Sequence, residues 1–160
     1  MMPRVVLFQP LIPPNTGNVA RTCAATGSEL HLIEPLGFSL EDRHLRRAGL
    51  DYWPLVQLFR HGDATSFLEI RRARGGRLLA FSSQADAPYT GIDYQSDDWL
   101  LFGRESDGLS PELLAAADLR LTIPMPRSRD AVPGGVRSLN LSVAVGVAVF
   151  EALRQQEQRP

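Results

Sequence analysis

Short apolar runs of strand length alternate with segments of helical pattern along this chain, and that alternation restricts the fold more than any other feature. Arg4 to Phe8 and Leu30 to Ile33 are the first two runs. Between them Pro10, Pro13 and Pro14 force a loop, and Asn15 or Asn18 can cap a helix running to about Thr26. Strand, helix and strand within about thirty residues make the crossover unit of a parallel sheet. Ser39 is placed to begin a short helix through Ala48, with Asp42 at its third position, where a carboxylate favours the helix start. Tyr52 to Phe59 reads as extended, weakened by Pro54. Asp63 opens an amphipathic helix to about Ala73, which Gly75 and Gly76 stop. Further strands are expected at Leu78 to Ser82, Trp99 to Phe102 and Leu119 to Ile123, with a helix starting at Ser110-Pro111-Glu112 and a final apolar helix from about Leu139 to Gln155. The expectation is an α/β fold, a mostly parallel sheet flanked by helices.

No internal repeat or linker divides the 160 residues, so one domain spanning 1–160 is expected, large enough to bury a core without disulfides or metals. The single cysteine, Cys23, cannot pair within the chain and has no neighbours at metal-ligand spacing. The N-terminal apolar stretch is too short for a signal-peptide core. Leu139 to Leu153 is broken by Asn140, Ser142 and Glu151, short of the roughly 20 apolar residues that span a bilayer. It reads as a core or interface helix, and the cytosol is the compartment that fits. A net charge of −1 argues against a uniformly basic nucleic-acid binder. All 17 basic residues are nevertheless arginines, which suits bidentate phosphate contacts and is equally produced by a GC-rich genome. They cluster at Arg43, Arg46 and Arg47, at Arg71, Arg72, Arg74 and Arg77, and at Arg127, Arg129 and Arg137.

Ligands of parallel sheets bind beyond the carboxyl ends of the strands, and three loops there stand out. Pro13 to Arg21 feeds a helix whose free N–H groups can hold an anion. Arg21 is expected within the first turn or so, where its charge opposes the helix dipole and calls for a ligand or carboxylate partner. Phe102-Gly103-Arg104-Glu105-Ser106-Asp107-Gly108-Leu109 places a polar tip between glycines directly after an apolar strand. Ile123-Pro124-Met125 leads through a polar stretch to Arg137-Ser138-Leu139-Asn140-Leu141-Ser142. Ser138 can cap the last helix, and Asn140, one turn in, needs a partner for its amide. Phosphate-loop, dinucleotide-binding, zinc-protease and serine-hydrolase patterns are missing.

Taken together, Asn15 to Arg21, Phe102 to Leu109, and Ile123 to Met125 with Ser138 to Ser142 resemble, in order, the three motifs of the SPOUT methyltransferases, SpoU branch. Within that branch, Ile12 to Asn18, His31 to Phe38 and Leu45 to Tyr52 are similar to the members that methylate a tRNA wobble ribose. The resemblance implies a C-terminal trefoil knot, a homodimer joined through the C-terminal helix region, and S-adenosylmethionine as methyl donor without a metal. It further implies 2′-O-methylation of the wobble cytidine or modified uridine of tRNA, with leucine tRNAs as the substrates. The cofactor positions it assigns are Phe81, Gly103, Ile123 and Ser138. Arg21 matches the motif arginine given to catalysis, and Asn15, Glu105, Ser138 and Asn140 match its polar companions. The stretch from Pro126 to Val136 is longer than the family's usual connection. A ribosomal RNA 2′-O-methyltransferase, or a non-catalytic module binding the cofactor or RNA, remain the alternatives.

Overall fold

The computed structural model describes residues 1–49 and 52–160; Leu50 and Asp51, within the Leu45 to Tyr52 segment, lie outside the described residues. Seven strands form one sheet: β1 (Arg4–Phe8), β2 (Leu30–Ile33), β3 (Leu58–His61), β4 (Leu78–Phe81), β5 (Ala87–Pro88), β6 (Trp99–Phe102) and β7 (Leu119–Thr122). Their spatial order is β3-β2-β1-β6-β4-β7-β5, and every pairing between these strands is parallel. The helices are α1 (Pro13–Thr26), α2 (Arg43–Gly49), α3 (Ala64–Arg74), α4 (Pro111–Ala116) and α5 (Leu141–Glu157).

Successive strand residues point to opposite faces, and this sorts the core into two layers. Val5, Leu7, Leu30, Leu32, Leu79 and Leu100 pack with Val19 and Ala20 of α1 and Val145 and Val149 of α5. Val6, Phe8, Ile33, Leu78, Trp99 and Leu101 pack on the other face with Phe67 and Leu68 of α3 and Leu113 of α4. Central strands covered on both sides are continuously apolar, which is why they read so clearly in the sequence.

Several boundaries differ from expectation. α1 begins at Pro13, with Ile12 at the cap position and no side-chain cap; Asn15 and Asn18 lie inside the helix. Proline has no N–H to leave unsatisfied and its φ is already helical, so two prolines start a helix that asparagine was expected to start. Asp42 does not occupy a third helical position. Its Oδ1 accepts from the backbone N–H of His44 at 2.8 Å, so it caps an α2 that starts at Arg43. The Tyr52 to Phe59 segment is a 3-10 turn at Trp53–Leu55 followed by β3, because Pro54 suits a first turn and not a ladder. α5 is capped by Asn140 and not by Ser138, the Asn140 side chain accepting from the N–H groups of Ser142 and Val143. One stripe of α5 is buried, at Val145, Ala148, Val149 and Ala152, while Val143 and Phe150 on other faces are 50% and 52% exposed.

Candidate active site

Beyond the carboxyl ends of β4, β6 and β7 the connecting loops enclose a cavity of about 480 Å³, within the range of small-molecule sites. Phe81, Gly103, Ile123 and Ser138 all line it, together with Asn15, Glu105 and Asn140. Leu109, Leu139, Leu141 and Ala144 add apolar wall, and Ser82, Ser83 and Gln84 add a polar edge. Those three residues follow β4 directly, and the strand-end rule that singled out the other loops applies to them as well.

The loop after β6 is held shut by its own backbone. Arg104 and Gly108 exchange two hydrogen bonds of 3.0 Å. Gly108 has φ +76, and a Cβ on Gly103 would stand 2.3 Å from the Gly108 carbonyl carbon, so both positions require glycine. Arg104 braces the loop, donating to both carboxylate oxygens of Asp107 at 2.7 Å and to Gln9 Oε1, beyond β1, at 2.8 Å.

Glu105 then joins this loop to α1. Its carboxylate accepts from the N–H groups of Leu11 at 2.9 Å and Ile12 at 2.7 Å, and from Asn15 Nδ2 at 3.2 Å. No acidic residue lies in the first turn of α1; the negative charge that the helix dipole favours there is supplied from the β6–α4 loop. Asn15 Oδ1 in turn accepts from Asn140 Nδ2 at 3.0 Å. Asn140 Oδ1 accepts from the Ser142 N–H and hydroxyl at 2.9 and 2.7 Å. One chain of hydrogen bonds therefore fixes the start of α1, the β6–α4 loop and the start of α5 against one another, and Asn140 has the partner its position demanded.

Arg21 is elsewhere. It is the ninth residue of α1, so the dipole argument for a nearby ligand does not hold. It lies six positions beyond Asn15, about 9 Å along the axis. It is exposed, its guanidinium lies 4.8 Å over the Tyr52 ring, and it does not line the cavity of its own chain. α2 reaches this part of α1 because of Gly17, where a Cβ would meet Ala48 Cβ at 2.5 Å and the Leu45 carbonyl oxygen at 2.7 Å.

The long Pro126 to Val136 connection folds on itself. The Val136 N–H donates to the Arg127 carbonyl at 3.0 Å and Arg129 Nε to the Gly135 carbonyl at 3.3 Å. Arg127 and Arg129 stay outside the cavity, and Arg137 lines it. Among the described residues no cluster of histidine, cysteine and carboxylates has a metal-binding arrangement. Burial pushes the Cys23 thiol up to about 12, which leaves it unreactive.

The model of the SpoU rRNA Methylase family matches residues 2–150. A tRNA (cytidine(34)-2'-O)-methyltransferase of Polaromonas sp. strain JS666 is 47% identical over 152 residues, covering 94% of this chain and 89% of that one. The Escherichia coli K12 protein of the same name is 46% identical over 156 residues, with 96% and 94% covered. A solved structure from work on the 2-OH methylation of C/U34 on tRNA superposes with a TM-score of 0.88 and 52% identity, covering 99% of this chain and 98% of that chain. The AdoMet-bound rRNA methyltransferase of Sinorhizobium meliloti superposes with a TM-score of 0.84 and 28% identity, over 96% of this chain and 56% of that chain. With the family model spanning every strand of the sheet and the motif loops meeting at one cavity, the chain belongs to the SpoU rRNA Methylase family.

Proposed function

We propose that this protein transfers a methyl group from S-adenosylmethionine to the ribose 2′-hydroxyl of the wobble nucleotide of tRNA, cytidine or modified uridine, with leucine tRNAs as the substrates. The observation that carries this reading is the joining of the three motif loops by the Glu105, Asn15 and Asn140 hydrogen bonds at the mouth of one cavity. Relatives at 46–47% identity over nearly the whole chain bear the name of that activity.

The donor set fits adenosylmethionine: an apolar wall for an adenosine, a polar edge, and loop backbone made accessible by glycine. Phe81, Gly103, Ile123 and Ser138 would hold it. When bound, it would supply a methyl carbon already activated by a sulfonium, S-adenosylhomocysteine being the leaving group and the 2′-hydroxyl proton passing to solvent. The protein's task is then positioning and charge. Arg21 grips a substrate phosphate and stabilises negative charge developing on the attacking ribose oxygen. Asn15, Glu105 and Asn140 hold the helix starts, and Ser138 borders the reacting groups at the α5 mouth.

Arg21 stands outside the cavity of its own chain, and this supports a homodimer in which each Arg21 serves the partner's cavity. The exposed Val143 and Phe150 on α5 offer the contact. Family membership brings with it the trefoil knot for the C-terminal third. Among the described residues no helix is long and apolar enough to cross a membrane. The reading places the enzyme in the cytoplasm and requires no metal.

The test is transfer of labelled methyl from adenosylmethionine to bulk tRNA lacking its 2′-O-methyl groups, followed by nucleoside and position mapping. Label in 2′-O-methylcytidine or 2′-O-methyluridine at the wobble position is the expected result. Label only in ribosomal RNA, or cofactor binding without transfer, would overturn it in favour of a ribosomal enzyme or a binding module.

A further inference from the structure

The three arginine groups of the sequence meet different fates. In the second, Arg71 donates to the Gly76 carbonyl at 3.2 Å and lies 3.7 Å from Asp118, Arg74 forms a two-pronged pair with Glu29, and Arg77 does the same with Asp98. In the third, Arg129 is tied to its own loop and Arg137 faces the cavity already described. The first group is open. Arg43, Arg46 and Arg47 are exposed on α2. Arg46 donates from Nε to the Leu40 carbonyl at 3.0 Å and lies 3.5 Å from Glu41, whose side chain is 85% exposed. Arg43 and Arg47 make no hydrogen bond or ion pair among the described residues.

Their placement costs the helix something. Arg43 and Arg47 are four residues apart, so they are neighbours on one face of a seven-residue helix, where like charges repel. Arg47 gains from its place in the last turn, but Arg43, at the first position, opposes the helix dipole, and the fold itself needs only Leu45, fully buried, and Ala48, against Gly17. The same close approach at Gly17 sets α2 against the stripe of α1 that carries Arg21 one turn further along, its guanidinium over the Tyr52 ring. Four exposed arginines thus lie on two helices packed against each other, in a protein whose net charge is −1. A local positive patch on a near-neutral protein attracts a polyanion to that patch and not to the whole surface.

We infer that the α2 face is the track for the RNA backbone: Arg43 and Arg47, flanked by Arg46, hold successive phosphates of a single-stranded or hairpin RNA whose reacting ribose lies beside Arg21. The inference rests on the RNA methylation reading above. These contacts set register and affinity without reading bases, as phosphate contacts do. Arginine suits the task because its planar fork pairs with two phosphate oxygens at once.

The experiment compares the wild-type protein with an Arg43→Gln/Arg47→Gln variant, both as full chains, binding an unmodified anticodon stem-loop RNA from 50 to 200 mM salt. Each lost phosphate contact lowers the slope of log K against log salt by about 0.7 to 0.9. The variant should therefore bind more weakly at low salt, and its further loss of affinity across that range should be about tenfold smaller than that of the wild type. Its melting temperature and its calorimetric affinity for adenosylmethionine should be unchanged, which separates lost RNA contacts from lost fold. Wild-type methylation of the stem-loop together with an unaltered slope in the variant would overturn the α2 track alone. A wild-type protein that neither binds nor methylates the stem-loop would overturn both readings.

Discussion

Around α3 and the start of β4 the guanidinium groups of Arg71, Arg74 and Arg77 each meet an oxygen of the fold, whereas on α2 Arg43 and Arg47 meet none among the described residues. The carboxylates that answer the α3 group sit just before strands: Glu29 before β2, Asp98 before β6 and Asp118 before β7. They form an ionic belt at the amino ends of the sheet, while the cavity and the Glu105 network occupy the carboxyl ends. Arginine at one end is part of the scaffold, and arginine on α2 is available to a ligand. The two regions should therefore fail differently when mutated, one by unfolding and the other by losing substrate.

The largest effect is expected at Arg77. Asp98 is fully buried and accepts from Arg77 at 2.9 and 2.7 Å. Arg77→Ala leaves that carboxylate without its counter-charge, a kind of loss that costs about 3–5 kcal/mol. For a chain of this size that is a fall in melting temperature of about 10 °C. Thermal denaturation of the variant is the measurement. A melting temperature within 2 °C of wild type, as an order-of-magnitude threshold on that scale, would remove the scaffold role from this half of the comparison.

Acid should expose the same belt by another route. Glu29 accepts from both guanidinium nitrogens of Arg74 at 2.9 and 2.8 Å and from His31 Nε2 at 2.8 Å. A carboxylate can only accept, so His31 donates through Nε2 and takes a hydrogen bond at Nδ1 from His61 Nε2, 2.9 Å away. Burial pushes His31 down to about 4 against the pull of Glu29, so it is neutral near pH 7. Burial works to raise the Glu29 carboxyl, but the hydrogen bonds from Arg74 and His31 outweigh it and hold it at about 2.

Both shifts have the same sign of effect. Where the unfolded chain binds more protons than the folded one, stability rises with pH and is lost as pH falls. For His31 the window runs from about 6.5, its ordinary value, down to about 4; for Glu29 it runs from 4.5 down to about 2. The His31 contribution lost across its window is on the order of 3 kcal/mol. Chemical denaturation at pH 7, 5.5 and 4.5 should show stability dropping stepwise, and His31→Phe should flatten that drop. An equally steep drop in the variant would assign the acid lability to other groups.

The same contrast explains which parts of the molecule are legible from the sequence. Strands β1, β2, β4 and β6 are covered on both faces, so they are apolar but for Arg4 and His31, and the loops after β1, β4, β6 and β7 carry the cavity residues by a general rule of parallel sheets. The motif resemblance assigns Phe81, Gly103, Ile123 and Ser138, and the strand-end rule accounts for their loops. Arg21 was not. Placing the start of α1 at an asparagine and not at Pro13 moved Arg21 into the first turn and gave it an electrostatic reason for a ligand that its true position lacks. The meaning of the arginine groups was equally hidden, because Arg74 meets Glu29 across 45 residues and Arg77 meets Asp98 across 21. Charge clusters are local in sequence, and their counter-charges are set by strand order.

The smallest expected effect sharpens the comparison most. Arg72 lies on α3 between Arg71 and Arg74, yet it makes no ion pair among the described residues, so it resembles the α2 arginines in being unpaired and the α3 arginines in location. Arg72→Gln should change stability by less than about 0.5 kcal/mol, as surface substitutions away from special features do. If RNA follows α2, the same variant should also leave the salt slope of RNA binding at its wild-type value. Exposed positive charge anywhere on the surface and local placement make opposite forecasts at this residue: a slope reduced by about 1 would mean that any exposed arginine serves the RNA. An unchanged slope beside a reduced one for Arg43 and Arg47 would locate the attraction on α2, because the net charge lost per substitution is the same in both places.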